Sequence, residues 1–182
     1  NGRSVNIKFE LLLLMSATMR KFTRQNSCIK HNPMKLKVGD KAPAINAKDQ
    51  NGNEISLAQF KGKKVVLYFY PKDSTPGCTK EACNFRDNYK ALRKKGYEVV
   101  GVSADSEKSH IKFIEKYELP FPLIADTDHK VVNDYGVWGL KKFMGREYMG
   151  INRTTFLIDE KGKIEKLIEK VDTENSTEQI LS

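Results

Sequence analysis

One continuous apolar run, followed at once by a proline and a helix-start signal, does most to limit the folds open to this chain. Residues Val65–Tyr70 read VVLYFY, a β-branched and aromatic stretch without the alternation of a half-exposed strand. Such a run is typical of a central strand buried on both faces. Pro71 ends the strand, and Ser74, Thr75 and Pro76 combine hydroxyl side chains with a proline at the first helical position. A buried strand that leads into a helix predicts an α/β fold.

The rest of the chain continues this alternation of strands and helices. A hairpin is predicted for residues 45–55, because Asn51-Gly52 is a favoured tight-turn pair. The first helix is expected to carry its hydroxyl cap at Thr75 and to continue to Gly96, a C-terminal cap residue. The other predicted elements are strands at 99–103, 122–125, 154–158 and 163–171, and helices at 106–117, 128–135 and from 176 onward. This order predicts a central mixed sheet, partly parallel, with helices on its faces.

The first 34 residues differ from the rest of the chain in charge and pattern. They hold six basic residues and one acid, whereas the whole chain has 32 basic and 23 acidic residues and a formal charge of +9. Residues 1–34 are therefore expected to be a poorly ordered or non-native extension, either translated upstream sequence or a targeting peptide, before a domain at 35–182. In that domain Lys and Glu are interspersed, which favours a solvated surface over a nucleic-acid interface. No apolar run reaches the ~18–20 residues of a membrane span.

Three cysteines, Cys28, Cys78 and Cys83, offer the most distinctive chemistry in the sequence. A low, odd count argues against a secreted disulfide scaffold, so the protein is expected in a reducing compartment, the cytoplasm. The thiolate is the reactive form of cysteine, and the site must therefore stabilise negative charge on sulfur. If Thr75 caps the helix, Cys78 lies in its first turn, where free backbone N–H groups and the helix dipole favour an anion. Gly77 would leave room there for a small substrate.

The spacing of Cys78 and Cys83 limits how their two sulfurs can meet. On an intact α-helix, five residues place the two Cα atoms about 8.6 Å apart, beyond the ~7 Å limit for a disulfide. The pair can therefore bridge only if the start of the helix unwinds. A disulfide here would couple oxidation to a local conformational change. On the residues alone, a plain core position stays open for each of the two cysteines.

These residues resemble the active-site signature of the peroxiredoxin family. Pro71, Thr75 and Cys78 match the pattern Pro-x-x-x-Thr-x-x-Cys. The fuller run over residues 70–83, YPKDSTPGCTKEAC, is similar to the branch called bacterioferritin comigratory protein or PrxQ, whose resolving cysteine follows the peroxidatic one by five residues. The stretches GDKAP, YGVWG and NRTTFLID extend the resemblance over about residues 37–179.

The resemblance implies a thioredoxin-like fold and a thiol peroxidase that reduces hydrogen peroxide or organic hydroperoxides, with no metal or organic cofactor. Cys78 would attack the peroxide and become a sulfenic acid, and Cys83 would condense with it to an intramolecular disulfide. Thioredoxin or a similar dithiol would restore both thiols. The resemblance also assigns Thr75 to holding the peroxide oxygen, Pro71 to shielding the sulfur and Arg153 to placing a guanidinium beside the thiolate. A monomer is expected.

Three other classes of protein stay open on the residues alone. A thioredoxin-type disulfide oxidoreductase would usually have Cys-x-x-Cys, whereas four residues separate the close cysteine pair here. A cysteine hydrolase needs a histidine base, but His110 and His129 are predicted to be exposed helix residues. A zinc module would add Cys28 and His31 to the close pair, without the usual spacing of zinc ligands.

Overall fold

The computed structural model describes residues 36–182, so the extension expected at residues 1–34 lies outside the described part of the chain. In chain order the described elements are β1 (Asn46–Lys48), β2 (Glu54–Ser56), a 3-10 turn (Leu57–Phe60), β3 (Lys64–Phe69), α1 (Pro76–Asp87), α2 (Tyr89–Lys94), β4 (Tyr97–Ser103), α3 (Glu107–Tyr117), β5 (Leu123–Ala125), α4 (Lys130–Asp134), β6 (Trp138–Phe143), β7 (Arg146–Ile151), β8 (Thr154–Ile158), β9 (Ile164–Ile168) and α5 (Ser176–Leu181). None of these helices has the length and apolar character that crossing a membrane requires.

The short hairpin of β1 and β2 opens the described part of the chain. The two strands pair antiparallel, with Asn46 opposite Ser56. Gly52 lies at the turn with φ +78°, a left-handed conformation that glycine adopts without steric cost. The N-terminal hairpin predicted from Asn51-Gly52 is confirmed.

A five-stranded mixed sheet forms the centre of the fold. Its spatial order is β5-β4-β3-β8-β9. Strands β3, β4 and β5 run parallel, whereas β8 is antiparallel to both β3 and β9. The middle strand β3 is buried on both faces from Val65 to Phe69, as its apolar run predicts. The predicted central mixed sheet is confirmed.

The core lies on both faces of this sheet, and alternate residues of β3 supply the two sides. Val65, Leu67 and Phe69 belong to one apolar cluster, which α4 also covers. Val66 and Tyr68 belong to the other cluster, whose members from α1 and α3 include Cys78, Ala82, Phe85 and Phe113. This division follows from the two-residue period of a strand. The sheet is therefore flanked by helices, and Cys78 of α1 lies in the core between that helix and the sheet.

The helix that follows the site differs from the sequence prediction. The helix expected to continue to Gly96 is two helices, because the chain bends at Asn88 (φ −99°, ψ 8°) between α1 and α2. The Asn88 side chain donates to the Asn84 carbonyl at 3.0 Å, a local bond that competes with continued helix. Gly96 (φ +84°) lies just after α2, in the left-handed position that glycine favours at helix ends.

The hairpin of β6 and β7 is an element for which the sequence analysis gives no prediction. Its strands pair antiparallel, from Trp138 opposite Ile151 to Phe143 opposite Arg146. Residues 146–149 are all exposed, so no alternation of buried and exposed positions marks a strand there. The hairpin leads directly into β8 and so borders the site described next.

Candidate active site

The end of β3 and the start of β8 bring the predicted site residues together. Pro71 follows β3 in the loop that leads into α1. Because Phe69 pairs with Thr154 across the antiparallel ladder, the neighbouring Arg153 lies beside that loop. Sites at the carboxyl ends of parallel strands are common in α/β proteins. Pro71 and Arg153, 82 positions apart in the chain, thus lie at the same end of the adjacent inner strands β3 and β8.

Cys78 lies in the first turn of α1 and is only 1% exposed. Its Sγ accepts a hydrogen bond from Arg153 Nη2 at 3.1 Å. The first-turn N–H groups and the guanidinium both favour negative charge at the sulfur. The adjacent Gly77 lies beside the same guanidinium: a Cβ at Gly77 would be 3.5 Å from Arg153 Nη2, an ordinary van der Waals distance. The arrangement suits a cysteine that reacts as a thiolate.

Thr75 occupies the cap position of α1, but its hydroxyl does not cap the helix. The prediction of a hydroxyl cap is wrong, because Oγ1 donates to the Lys72 carbonyl at 3.1 Å. The backbone still begins the helix there, since the Thr79 N–H donates to the Thr75 carbonyl at 2.9 Å. Pro76 takes the first helical position, as predicted. With the hydroxyl turned to the loop, the first-turn N–H groups keep their capacity to bind an anion.

Glu81 belongs to the site, and the sequence analysis missed it. The residue is fully buried; its Oε2 accepts a hydrogen bond from Arg153 Nη1, and its Oε1 has no hydrogen-bond partner within residues 36–182. Burial raises the pKa of Glu81 to about 7, against the opposing effect of Arg153. Arg153 therefore bridges the Cys78 sulfur and a buried carboxyl group. The i, i+3 spacing of Cys78 and Glu81 on one helix face is the signal that could have found it.

The β6–β7 hairpin contributes a second cation, Lys141, that the sequence analysis also missed. Its Nζ donates to the Ile151 carbonyl at 2.9 Å. Burial, and after it the positive charge of Arg153, lower the pKa of Lys141, while the Cys78 sulfur opposes that shift. The lysine therefore lies close enough to interact with both site residues. No sequence signal marked it, since the hairpin that carries it was not expected.

A buried hydrogen-bond network fastens the loop at residues 71–75. The Asp73 carboxylate accepts from the Tyr70 hydroxyl at 2.8 Å and the Ser109 hydroxyl at 2.7 Å, and lies 2.9 Å from His110 Nδ1. Burial alone would raise the pKa of Asp73, but these bonds outweigh it and leave the pKa below its ordinary value. The loop that carries Pro71 and Thr75 is thereby tied to α3.

The prediction that both histidines are exposed helix residues is wrong for His110. That ring is fully buried, and its Nε2 lies 3.2 Å from the Ile124 carbonyl. A polar side chain can be buried when it finds hydrogen-bond partners in the folded protein, and the sequence alone does not show those partners. His129 is half-buried against Trp138, with ring centroids 4.2 Å apart. Within residues 36–182 no hydrogen bond joins either ring to Cys78, which disfavours the histidine-based hydrolase.

Cys83 is half-buried on the same helix as Cys78, and both are free thiols. Their sulfurs can meet only if α1 unwinds between them, because the helix is continuous from Pro76 to Asp87. For the zinc alternative, Cys28 and His31 lie outside the described residues. The described residues contain no group of three or more side chains suited to hold a metal ion.

Comparison with known proteins first identifies the family to which the chain belongs. Residues 38–167 match the model of the AhpC/TSA family. Similar solved structures include a PrxQ variant from Xylella fastidiosa, with a TM-score of 0.75 and 30% identity over 80% of this chain and 93% of that one. Another is the peroxidoxin BcpB of Mycobacterium tuberculosis, with a TM-score of 0.71 and 34% identity over 80% and 94%. The chain belongs to the AhpC/TSA family and has a thioredoxin-like fold.

Sequence relatives narrow the class to one branch. Peroxiredoxin Bcp of Bacillus subtilis is 49% identical over 138 residues, which cover 76% of this chain and 88% of the relative. Peroxiredoxin Bcp of Escherichia coli K12 is 46% identical over 147 residues, or 81% and 94%. The resemblance to the bacterioferritin comigratory protein, or PrxQ, branch is confirmed. The chain is a peroxiredoxin, and its enzyme class is thiol peroxidase.

Proposed function

We propose that this enzyme reduces hydroperoxides with Cys78 as the peroxidatic residue and Cys83 as the resolving residue. The observation that carries the proposal is the 3.1 Å hydrogen bond from Arg153 to the Cys78 sulfur, in the first turn of α1. A fixed guanidinium and free N–H groups stabilise the anionic nucleophile, and they also suit negative charge on the departing oxygen. Because Cys78 is almost enclosed, only the narrow peroxide end of a substrate fits against the sulfur.

The reaction begins at the sulfur. The Cys78 thiolate bonds to the hydroxyl oxygen of the hydroperoxide while the O–O bond breaks. Sulfur is oxidised to a sulfenic acid, and the peroxide is reduced. The departing oxygen takes a proton and leaves as an alcohol, or as water when the substrate is hydrogen peroxide. The Cys83 thiol then condenses with the sulfenic acid, forming the S–S bond and releasing water.

Three neighbours would assist the first step. Arg153 would hold the sulfur and the approaching peroxide. Thr75 would turn its hydroxyl from the Lys72 carbonyl to the peroxide oxygen, a movement of one rotatable side chain. Pro71, half-buried in the fastened loop, would shield the sulfur from water. Removal of any of the three should slow the reaction of Cys78 and leave the condensation with Cys83 in place.

The oxidised enzyme needs an external dithiol, and we infer thioredoxin or a protein like it. Exchange with a dithiol returns both cysteines to thiols. A bacterioferritin comigratory protein of Xanthomonas campestris with similar structure (TM-score 0.71, 34% identity) was studied for alkyl peroxide reduction, which supports organic hydroperoxides as substrates here. We further infer a monomer that acts in the cytoplasm, because a low, odd cysteine count is typical of proteins from a reducing environment.

The test is peroxide consumption coupled to thioredoxin, thioredoxin reductase and NADPH. Cys78→Ser should abolish turnover, and Cys83→Ser should stop it after one reaction per enzyme. Cys28→Ser is the matched control and should turn over like the wild type. Turnover that survives in Cys78→Ser would overturn the assignment. Faster reduction of insulin disulfides than of peroxide would favour the thioredoxin-type oxidoreductase instead.

A further inference from the structure

Asn84, the neighbour of Cys83 on α1, is bonded through both ends of its amide to the C-terminal segment. Its Nδ2 donates to the Glu174 carbonyl at 2.7 Å. Its Oδ1 accepts from the Thr177 backbone N–H at 2.9 Å and from the Thr177 hydroxyl at 2.7 Å. These bonds join residues 90 and 93 positions apart in the chain. We call this set of three bonds the Asn84 latch.

The segment on the far side of the latch is itself held by the body of the protein. Thr177 is 2% exposed, and Ile180 packs in the apolar cluster that contains Cys78 and Phe85. The Lys166 side chain, from β9, donates to the Gln179 carbonyl at 2.8 Å. The latch therefore connects α1 to the sheet through α5, and it resists movement of the helix.

The other end of α1 is held more firmly. The Asp73 network lies in the interior, and the Asp73 N–H also donates to Asp105 Oδ2 at 2.8 Å. Breaking it would strand buried polar groups, which is costly. The Asn84 latch is different, because it contains no charged side chain, Asn84 is half-buried and Glu174 is exposed, so water can replace the bond to Glu174. If α1 must release one end to unwind, the latch is the weaker of the two.

We propose that Asn84 is a positioning residue for the resolving step: the latch keeps α1 wound, and its release sets the rate at which Cys83 reaches Cys78. The inference rests on the proposed roles of the two cysteines. The chemistry needs no further reagent. The sulfenic hydroxyl of Cys78 leaves with the thiol proton of Cys83 as water while the S–S bond forms. Asn84 touches no reacting atom and so does not affect the attack on peroxide.

Rapid-mixing kinetics with hydrogen peroxide separate the two steps. In Asn84→Ala the rate of sulfenic acid formation should match the wild type, while disulfide formation should accelerate about tenfold, the effect of losing one to two net hydrogen bonds. Asn84→Asp keeps the acceptor for Thr177 but loses the donor to Glu174, so it should lie between the two. Gln59→Ala is the matched control, because it removes an amide that accepts from the Ser56 N–H and donates to the Glu54 carbonyl outside α1 and α5.

Disulfide formation in Asn84→Ala at or below the wild-type rate would overturn the proposal. Hydrogen exchange on the reduced protein gives a second readout: exchange should rise over residues 76–87 and stay unchanged in β3. If Asn84→Ala does not fold, Thr177→Val tests the proposal instead. It removes only the bond from the Thr177 hydroxyl to Asn84 and should still speed disulfide formation. Should the wild type form no Cys78–Cys83 disulfide at all, the proposed function fails rather than the latch.

Discussion

At the scale of single residues, the site depends on one guanidinium shared between a sulfur and a buried carboxyl group. Arg153 donates to Cys78 and to Glu81 from its two terminal nitrogens. The carboxyl group has no other partner within residues 36–182, so it depends on Arg153 for compensation. The same contacts that prepare the nucleophile therefore also hold a buried charge in place. Changes at Arg153 should affect both chemistry and stability.

Replacement of Arg153 distinguishes a cation that takes part in the site from an ordinary surface cation. Arg153→Gln should slow the reaction of Cys78 with peroxide by about 10²-fold, the typical effect of losing one charge-stabilising donor. It should also lower the free energy of unfolding by ~1–3 kcal/mol, because the buried Glu81 carboxyl group loses its hydrogen-bond partner. Stopped-flow kinetics and urea denaturation measure the two effects. Arg93→Gln, which removes a half-exposed partner of Glu98, is the control; equal behaviour of the two variants would contradict the assignment.

The raised pKa of Glu81 predicts how stability depends on pH. The folded protein binds the proton up to about pH 7, whereas the unfolded chain releases it near 4.5. The folded state therefore binds more protons in this window, and stability should fall as pH rises from 4.5 to 7. In Glu81→Gln that contribution is absent. Its free energy of unfolding relative to the wild type should rise by about 3 kcal/mol between pH 4.5 and 7.5. A difference that does not change with pH would refute the buried, proton-binding carboxyl group.

At the scale of elements, strongly patterned segments were predictable and weakly patterned ones were not. The continuous apolar run of β3 predicts a strand buried on both faces. Pro76 predicts the start of α1, because the first helical position needs no N–H donor. The end of α1 was not predictable, since the bend at Asn88 depends on a local side-chain bond. The β6–β7 hairpin was not predictable, because residues 146–149 are all exposed and show no alternation. Only the pairing of its two strands in the structure identifies it.

The candidate site divides in the same way. The position of Cys78 in the first turn of α1 was predictable from the local sequence, whereas Pro71, Thr75 and Arg153 were assigned to the site only through the family resemblance. His110 was predicted to be exposed because its partner Asp73 lies 37 residues away, on the loop before α1. Glu81 was missed because a glutamate on a helix is ordinarily solvated. Long-range partners decide both cases, and a single sequence does not contain them.

The packing between β3, β4 and β5 should tolerate no side chain at Gly101. A Cβ there would lie 2.5 Å from Leu123 Cδ2 and 2.8 Å from the Tyr68 ring. Gly101→Ala should therefore lower the free energy of unfolding by ~1–3 kcal/mol through overpacking. Gly77→Ala is the matched control, because its Cβ would meet nothing closer than 3.5 Å. Denaturant unfolding of both variants measures the difference, and equal stability would contradict the packing described.

At the scale of the whole molecule, every site residue lies between Pro71 and Arg153, on elements that pack around one sheet. The two apolar clusters lie on opposite faces of that sheet, and the buried residues of α1 belong to only one of them, so unwinding of α1 leaves the other cluster intact. The match to the AhpC/TSA family begins at residue 38, close to the predicted domain boundary. Peroxidase chemistry should therefore need only the domain predicted at 35–182.

A variant that begins at Met34 tests this expectation. It should react with hydrogen peroxide at the rate of the full chain and unfold at the same temperature, because the match to the family begins only at residue 38. Stopped-flow kinetics and thermal unfolding, each beside the full chain, give the comparison. Loss of peroxide reactivity in the shortened protein would mean that the first residues contribute to the site.

The central claim is that Cys78 reacts first and Cys83 resolves it, and intact mass with thiol counting after one equivalent of hydrogen peroxide tests it most directly. The wild type should lose two thiols and about 2 Da, while Cys83→Ser should hold a sulfenic acid at about +16 Da. Cys28→Ser should behave like the wild type. Thiols that persist in the wild type, reacting no faster than a free cysteine, would contradict the account.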